Sequence, residues 1–379
     1  MDFNLSEEQQ AVKDAARDFA EKELLPEVID RDRDQKFPAD QIKKMGQLGF
    51  MGMMVDPKYN GGGMDTISYV LAMEEISKID ASAAVCMSVN NSLVCYGIEH
   101  YGTDEQKDKY LKKLATGESL GAFCLSEPEA GSDATSQRTM AEDKGDHYLV
   151  NGTKNWITNG STASYYIVMA QTDVGKGHKG INALILEKGM EGITIGKKED
   201  KLGIRGSDTH SIMFSDVRVP KENRIGDDGF GFKFAMKVLS GGRIGIASQA
   251  LGIASGALER SLNYAQERKT FGVEIAKHQA IQFKLSEMAL KVEAARLLCL
   301  KAAKLKDEKK DYVMAASMAK LFASEAAMYN ASEAIQIHGG YGYVKEYHVE
   351  RLLRDAKITQ IYEGTSEIQN IVIARELLK

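Results

Sequence analysis

The stretch Tyr148-Leu149-Val150-Asn151-Gly152 decides the fold class, because a β-rich run there leads into an Asn-Gly pair of the kind that joins strands in a hairpin. The period of the sequence changes near Gly121, and further short β-rich runs follow. They lie at 165–170, 181–186, 193–195 and 211–214. The pattern predicts a compact β domain of roughly 100 residues in the middle of the chain.

On the N-terminal side of this region the pattern is helical. Ser6 and Gln9 have the spacing of a capping box, and apolar residues then recur at helical intervals until Pro26. Helices are also predicted over 65–79 and 103–115, with an apolar segment at 81–96 between them. The chain therefore opens with a helical region.

On the C-terminal side, no proline follows Pro220, and long runs rich in Ala, Leu, Lys and Glu predict helices. These runs lie at 246–268, 278–306 and 312–337. Helices of this length pack best as an antiparallel bundle. The sequence thus predicts an α+β fold with an N-terminal α-helical domain at 1–120, a middle β-sandwich or barrel domain at 121–225 and a C-terminal antiparallel four-helix bundle at 226–379.

Composition narrows the class of protein. The chain has 379 residues, with 49 Lys and Arg against 54 Asp and Glu, and the two signs are interleaved, which argues against nucleic-acid binding. The N-terminus is acidic where a leader peptide needs basic residues, and no apolar run approaches the length of a membrane span, so we expect a soluble, cytoplasmic protein without membrane insertion. The four cysteines lack any ligand spacing, so we expect them to be packed and expect no metal site.

Two segments of the middle region carry residues suited to a cofactor. The run 123–133, Phe-Cys-Leu-Ser-Glu-Pro-Glu-Ala-Gly-Ser-Asp, contains small and hydroxyl residues that let backbone N–H groups approach an anion or a flat ring. The run 156–160 holds the only tryptophan. Read alone, the first run is more often an ordinary turn than a ligand site. A lone tryptophan such as Trp156 is usually a core residue, and the other interpretation is a flat ring lying against a flat cofactor.

Three segments of the C-terminal region have similarly open interpretations. Arg268 ends a helix, so it either caps the helix dipole or holds a phosphate. The run 336–342 is either a glycine-rich helix end or a place where a diphosphate approaches the backbone. Glu363 precedes a helix that starts near Thr365 or Ser366, where most acids are surface residues.

Together, and in this order, these segments resemble the acyl-CoA dehydrogenase family over essentially the whole chain, and no Rossmann or Walker motif competes. The resemblance implies FAD as cofactor, an acyl-CoA substrate and an electron-transferring flavoprotein as acceptor. It also implies a homotetramer, a dimer of dimers, in which each FAD lies between the β domain and the helices and touches a neighbouring subunit.

The resemblance assigns residues to three groups. The flavin-side positions are Phe123, Leu125, Ser126, Gly131, Ser132, Trp156, Ile157 and Thr158. The positions for the ADP half, with three others beside the same cofactor, are Arg268, Phe271, Gln279, Gln336, Gly339, Gly340, Thr365, Ser366 and Glu367. The positions that line the acyl-CoA path are Ser132, Ser240, Arg243 and Gly364.

The implied chemistry assigns the catalytic base to Glu363. A thioester α-proton is weakly acidic, so a base must act while donors stabilise the developing enolate, and burial should raise the pKa of this carboxyl. The family places its base either in a Tyr-Glu-Gly-Thr turn or just before the arginine that matches Arg243, where this chain has Gly242. Many relatives have Asp where this chain has Ser240, so a charged contact to the CoA arm is missing.

Local resemblance also points to substrate size. The runs 87–93, 196–207 and 242–247 look like the short-chain, butyryl-CoA branch, and the segment 81–96 is the first candidate for the floor of the acyl pocket. The alternatives are an acyl-CoA oxidase of the same fold and a non-catalytic acyl-CoA-binding protein. The second alternative would not need Glu363 or the FAD set.

Overall fold

The computed structural model describes residues 4–379. The first three residues of the acidic N-terminus therefore lie outside the described residues. The N-terminal region is helical, as predicted. The capping box is confirmed, because the Gln9 N–H donates to Ser6 Oγ at 3.1 Å and the Ser6 N–H donates to Gln9 Oε1 at 3.0 Å. The helices are α1 Glu7–Phe19, α2 Val28–Arg33, α3 Ala39–Gln47, α4 Thr66–Ile79, α5 Ala81–Ser88, α6 Tyr96–Tyr101, α7 Asp104–Gln106 and α8 Lys112–Ala115.

Helices α5 and α6 form one continuous helix, Ala81–Tyr101, through a π-helical segment, Val89–Cys95. The expectation that no apolar run approaches a membrane span is wrong, since these 21 residues are long and apolar enough to span one. In the fold, however, 94% of its most apolar window is buried. The apolar segment is therefore a core helix of the N-terminal region.

The middle region is a β domain, as predicted. Its strands are β1 Gly121–Cys124, β2 Met140–Asp143, β3 His147–Thr158, β4 Tyr165–Gln171, β5 Ile181–Glu187, β6 Ile193–Lys198, β7 Thr209–Pro220 and β8 Arg224–Ile225. They join in one sheet of order β6-β7-β3-β2-β4-β5-β8, with β1 paired to β4. Leu186 of β5 and Phe214 of β7 share a buried cluster, so the sheet curls around its own core.

The turn predicted at Asn151-Gly152 is wrong, because both residues lie inside the continuous strand β3. The register against β7 shifts between Val150 and Gly152, so the glycine serves a bulge rather than a hairpin. Gly152 has a φ of +146°, and a Cβ there would lie 2.6 Å from Thr139 Oγ1. The side chain of Asn151 donates to Asp216 on β7 at 2.9 Å, which stabilises the bulge.

The C-terminal region is the predicted helical bundle. Its elements are α9 Gly231–Glu267, β9 Lys269–Thr270, β10 Val273–Glu274, α10 Gln279–Asp307, α11 Val313–His338, α12 Val349–Ile358 and α13 Ser366–Leu377. Helices α9, α10 and α11 pack against one another, and α12 and α13 lie against α11. The four cysteines are buried, as predicted.

Helix α9 begins at Gly231, fifteen residues before the predicted start. Gly241, Gly242 and Gly245 lower the intrinsic helix propensity of this part, each by up to about 1 kcal/mol relative to alanine. Packing overrides that cost, since residues 240–257 are buried and the helix packs against the helix 81–101 and α4. The glycines therefore mark a close approach of helices rather than a break.

Candidate active site

Glu363 lies in the tight turn that joins α12 to α13. Its φ of +52° and the φ of +94° at Gly364 place two consecutive residues in the left-handed region. The turn is closed by the Tyr362 N–H donating to the Ile358 carbonyl at 3.1 Å and the Ser366 N–H donating to the Gln360 carbonyl at 3.0 Å. Helix α13 then starts at Ser366 with Thr365 as its N-cap, as the sequence predicts.

The Glu363 side chain points into the bundle rather than into solvent. Its Oε2 is buried and has no hydrogen-bond partner within the described chain. A Cβ added at Gly242 of α9 would overlap this oxygen and would lie 2.7 Å from Leu93 Cδ2. Burial raises the pKa of Glu363 from its ordinary value near 4.5 to about 7, while the charges of Lys320 and Arg243 partly offset the rise.

Two buried cations flank this carboxyl group. Lys320 of α11 is fully buried, and its ammonium donates to the Gly364 carbonyl at 2.6 Å. The side chain of Arg243 on α9 is buried as well, with Nη1 3.5 Å from Ser317 Oγ and Nε unpartnered. Burial lowers the pKa of Lys320 to about 8. A carboxyl group whose pKa lies near 7, placed between two cations, can accept a proton close to physiological pH.

Ser240, one of the residues predicted for the acyl-CoA path, makes a local hydrogen bond. Its Oγ donates to the Met236 carbonyl one turn earlier in α9 at 2.9 Å. The hydroxyl is therefore satisfied within its own helix and offers no charge to a ligand. Of the four predicted substrate residues, the structure brings Arg243 and Gly364 beside Glu363.

The residues predicted for the flavin side form one group at the edge of the β domain. The Asn155 N–H donates to the Ser126 carbonyl at 2.9 Å, which places the loop after β1 beside Trp156, Ile157 and Thr158 of β3. Trp156 has a φ of +63° and is 62% exposed, so its interpretation as a core residue is wrong. The strand irregularity between Lys154 and Ile157 turns the indole outward.

A buried ion pair supports this loop from behind. The Lys154 ammonium is fully buried and donates to the Leu125 carbonyl at 3.0 Å and to Glu127 Oε1 at 2.7 Å. Glu127 in turn accepts from the Thr139 N–H at 3.0 Å. The loop that carries Leu125 and Ser126 is therefore fixed to the sheet by a satisfied charge pair, whereas Gly131 and Ser132 at its far end are exposed.

The residues predicted for the ADP half form a second group at one end of the bundle. Arg268 follows α9 as its C-cap, and its guanidinium lies 5.5 Å from the ring centroid of Tyr341, beside the Gly339-Gly340 turn. Phe271 is 97% exposed. Gln279 and Gln336 are exposed as well. Thr365, Ser366 and Glu367 line a separate open cleft of about 250 Å³ at the start of α13.

Comparison with known proteins identifies the family to which the chain belongs. Models of the acyl-CoA dehydrogenase N-terminal, middle and C-terminal domains match residues 6–118, 122–217 and 229–378. The chain belongs to the acyl-CoA dehydrogenase family. The resemblance drawn from the sequence is confirmed, and as a member of this family the chain is an oxidoreductase.

Individual relatives of this family cover the full length. The short-chain specific acyl-CoA dehydrogenase of Clostridium acetobutylicum is 49% identical over all of both chains. The structure of butyryl-CoA dehydrogenase from Megasphaera elsdenii is 49% identical, with a TM-score of 0.98 over all of both chains. A chain in a structure described as an electron transferring flavoprotein of Acidaminococcus fermentans is 52% identical, with a TM-score of 0.99 over all of both chains. Complexes with FAD are among the structural neighbours.

Sequence reasoning missed several residues that shape this acyl-CoA dehydrogenase site. Lys320 and Gln369 both donate to the Gly364 carbonyl, at 2.6 and 2.8 Å. Tyr362 is tied through its hydroxyl to Gln249 of α9. A signal for Lys320 exists, because it lies on the same helical stripe as the buried residues Ala316 and Ala323. An ionisable residue on an apolar stripe is unusual, and it indicates a buried charge with a role beyond packing.

Proposed function

We propose that this protein oxidises the Cα–Cβ bond of a short-chain, butyryl-CoA-like thioester to the trans-2-enoyl-CoA, with FAD as cofactor and Glu363 as base. The observation that carries the proposal is the buried, unpartnered Oε2 of Glu363, on a carboxyl whose pKa is raised to about 7. A buried carboxylate oxygen without a partner is costly and rare unless a ligand uses it. Its position beside Gly242 leaves the oxygen facing α9, along which an acyl chain could lie.

The residues of the two predicted cofactor groups fit a flavin dinucleotide. A Cβ built at Gly131, Gly339 or Gly340 would meet no atom within 4 Å, so the backbone N–H groups there are open to an approaching ligand. The exposed ring of Trp156 offers a flat surface for a tricyclic ring, and Arg268 offers a cation for a pyrophosphate. When bound, FAD would supply the hydride acceptor for the β-carbon.

The chain's own residues supply proton transfer and orientation. Glu363 takes the α-proton, which requires its ionised form and therefore a pH near or above its pKa of about 7. The developing enolate oxygen needs a donor, and the Glu363 N–H is the candidate because the two bonds that close its turn use Tyr362 and Ser366 instead. Arg243 and Lys320 favour the ionised base electrostatically.

Close helix packing beyond Glu363 supports a short acyl chain. A Cβ at Gly242 would lie 2.7 Å from Leu93 Cδ2. A Cβ at Gly245 would lie 2.5 Å from Ser88 Oγ and 2.6 Å from Tyr69 Oη. The helix 81–101 therefore packs directly on α9 one turn beyond the base, in agreement with its proposed role as the pocket floor. A methylene that must displace packed side chains costs about 1–3 kcal/mol, which predicts a sharp length cutoff.

An anaerobic titration of the purified protein with butyryl-, hexanoyl-, octanoyl- and isovaleryl-CoA, followed by flavin bleaching, tests the proposal. In turnover assays with one and the same electron acceptor, butyryl-CoA or a near neighbour should also give the highest kcat/KM, with a steep fall by octanoyl-CoA. Leu93→Ala serves as the matched variant, since a truncated floor should move the preference to longer chains. A better octanoyl-CoA or isovaleryl-CoA in the wild type would refute the short-chain assignment while leaving dehydrogenation in place.

The same material separates the other candidate functions. An electron-transferring flavoprotein should reoxidise the bleached enzyme in air-free buffer, whereas rapid reoxidation by O₂ with stoichiometric peroxide would indicate an oxidase. Protein that stays colourless after FAD is added would indicate a non-catalytic acyl-CoA-binding protein. A cytoplasmic location is part of the proposal but carries no weight in these tests.

The proposed assembly is a homotetramer. Phe283, Leu290 and Leu297 of α10 are exposed and recur every seven residues, so they lie along one face of the helix. An exposed apolar stripe of this kind is typical of a protein interface. A second copy of this chain fits the stripe because a cofactor site shared between subunits requires association.

A further inference from the structure

Lys320 is a buried lysine that needs an explanation. It is fully buried on α11 among alanines of the same stripe. Its one hydrogen bond is to the Gly364 carbonyl at 2.6 Å, and no ion pair within 4.0 Å is formed by it among residues 4–379. Burying an ammonium without a paired carboxylate is expensive, so its retention calls for a function.

We propose that Lys320 is a positioning residue for Glu363, which fixes the backbone turn that carries the base and favours the ionised form of its carboxylate. This inference rests on the proposed role of Glu363. Lys320 contacts the base only through the Gly364 carbonyl, so it acts through another residue and not on the substrate.

The geometry of the turn supports the first part of the inference. A glutamate in the left-handed region is strained and persists only where its surroundings hold it. Here the Gly364 carbonyl accepts from Lys320 Nζ at 2.6 Å and from Gln369 Nε2 at 2.8 Å. On the other side of Glu363, the Tyr362 hydroxyl is bound to Gln249. Side chains from α9, α11 and α13 thus converge on a turn of three residues.

The charges around the base support the second part. Glu363 is faced by Lys320 from α11, by Arg243 from α9, by the phenol of Tyr69 from α4 and by its neighbour Tyr362. Burial pushes the pKa of Glu363 up to about 7, and both cations pull it down. Loss of the Lys320 charge must therefore raise that pKa further.

Lys320 still carries most of its positive charge near the pH at which Glu363 ionises, so it can favour the ionised carboxylate there. Its neighbours of opposite sign are Glu363, Glu367 and Glu325, and Arg243 opposes them. Burial lowers the pKa of Lys320 to about 8. Near pH 7 the lysine is mostly protonated while Glu363 is becoming ionised, and this is the combination that proton abstraction needs.

The test compares Lys320→Met, which removes the donor and the charge, with Lys320→Gln, which keeps a neutral donor. Gln369→Met is the matched control, because it removes the other donor to the same carbonyl without changing charge. Two quantities are measured on the FAD-loaded protein. The first is the pH profile of flavin reduction by butyryl-CoA in anaerobic stopped flow. The second is the titration of the Glu363 carboxyl by infrared difference spectroscopy, with Glu363→Gln identifying the band.

We expect both Lys320 variants to raise the apparent pKa of Glu363 by about 1–3 units, the usual effect of losing a nearby opposite charge. Gln369→Met should slow reduction at every pH and leave that pKa in place. If Lys320→Met fails to fold, Lys320→Gln carries the test alone. A Glu363 carboxyl that titrates at the wild-type pH in the Lys320 variants, or an equal rise in Gln369→Met, would overturn the inference.

The infrared measurement keeps this inference separate from the proposed function. It requires no turnover, so it reports on Lys320 even if none of the acyl-CoA thioesters bleaches the flavin of the wild-type protein. That failure of bleaching would reject the proposed reaction. An unchanged infrared titration beside normal bleaching would reject only the role of Lys320.

Discussion

Replacing Glu363 by Gln should slow flavin reduction severely and at the same time stabilise the folded protein at alkaline pH. The carboxyl is buried, and its pKa lies near 7 in the folded chain against an ordinary value of 4.5. The folded state therefore holds this proton more tightly than the unfolded state. Below about pH 4.5 both states are protonated, and as pH rises towards 7 the unfolded state ionises first, so stability falls across this window.

The size of the effect follows from the same two values. The interval from 4.5 to about 7, at about 1.36 kcal/mol for each pH unit, corresponds to about 3 kcal/mol of destabilisation above pH 7. Glutamine has the same shape and no charge, so it escapes this penalty. The figure already includes Arg243 and Lys320, because their charges lower the pKa of Glu363 and so limit its rise to about 7.

The assay is thermal unfolding of both proteins, each loaded with FAD, at about pH 5 and about pH 8.5. The Tm of Glu363→Gln minus the Tm of wild type should be several degrees larger at the higher pH than at the lower pH. A stability change of about 1 kcal/mol moves Tm by about 2–4 °C in domains of 150–250 residues. Flavin reduction should slow by about 10²- to 10⁴-fold. The exposed Glu346, changed to Gln, should give no pH-dependent difference.

A constant Tm difference between Glu363→Gln and wild type at both pH values would refute this reasoning. It would mean that the Glu363 carboxyl does not hold its proton more tightly in the folded protein than in the unfolded chain. A near-wild-type rate of bleaching by butyryl-CoA would refute the assignment of the base itself.

Two further predictions concern the neighbours of the base and the cofactor. Gly242→Ala should slow flavin reduction by about 10²-fold, because the new methyl group overlaps Glu363 Oε2 and must displace it. Gly241→Ala is the control and should have almost no effect, because its Cβ would meet no atom closer than 3.7 Å. Equal rates in the two variants would contradict the contact between position 242 and the base. Arg268→Ala should lower FAD occupancy after dialysis without unfolding the subunit, while Lys269→Ala should not, and unchanged occupancy in Arg268→Ala would show that Arg268 only caps α9.

The architecture could be predicted from the sequence wherever a signal was local. The capping box at Ser6 and the N-cap at Thr365 depend on residues three positions apart, and both helix starts are where the sequence places them. The Asn151-Gly152 pair failed for the opposite reason. Whether such a pair turns the chain or bulges a strand depends on the partner strand, and here Asp216 of β7 provides the hydrogen bond that keeps β3 extended.

The exposure of Trp156 depended on the same kind of distant information. A lone tryptophan is usually buried, and nothing in the residues around it predicts a positive φ. The register shift against β7 turns the ring away from the core of the β domain. The resemblance to the family, rather than the pattern of residues, predicted that this ring would be available to a cofactor.

The environment of Glu363 was the least predictable part of the site because it is assembled from three helices far apart in sequence. An acid before a helix N-terminus is normally a surface residue, and the sequence around Glu363 does not distinguish the two cases. What buries it is the absence of a side chain at Gly242 on α9, and what holds its turn is Lys320 on α11. The glycine weakens its own helix and the lysine is costly on an alanine stripe, so each is locally unfavourable. Two unfavourable residues that meet at one carboxylate indicate a functional requirement that neither reveals alone.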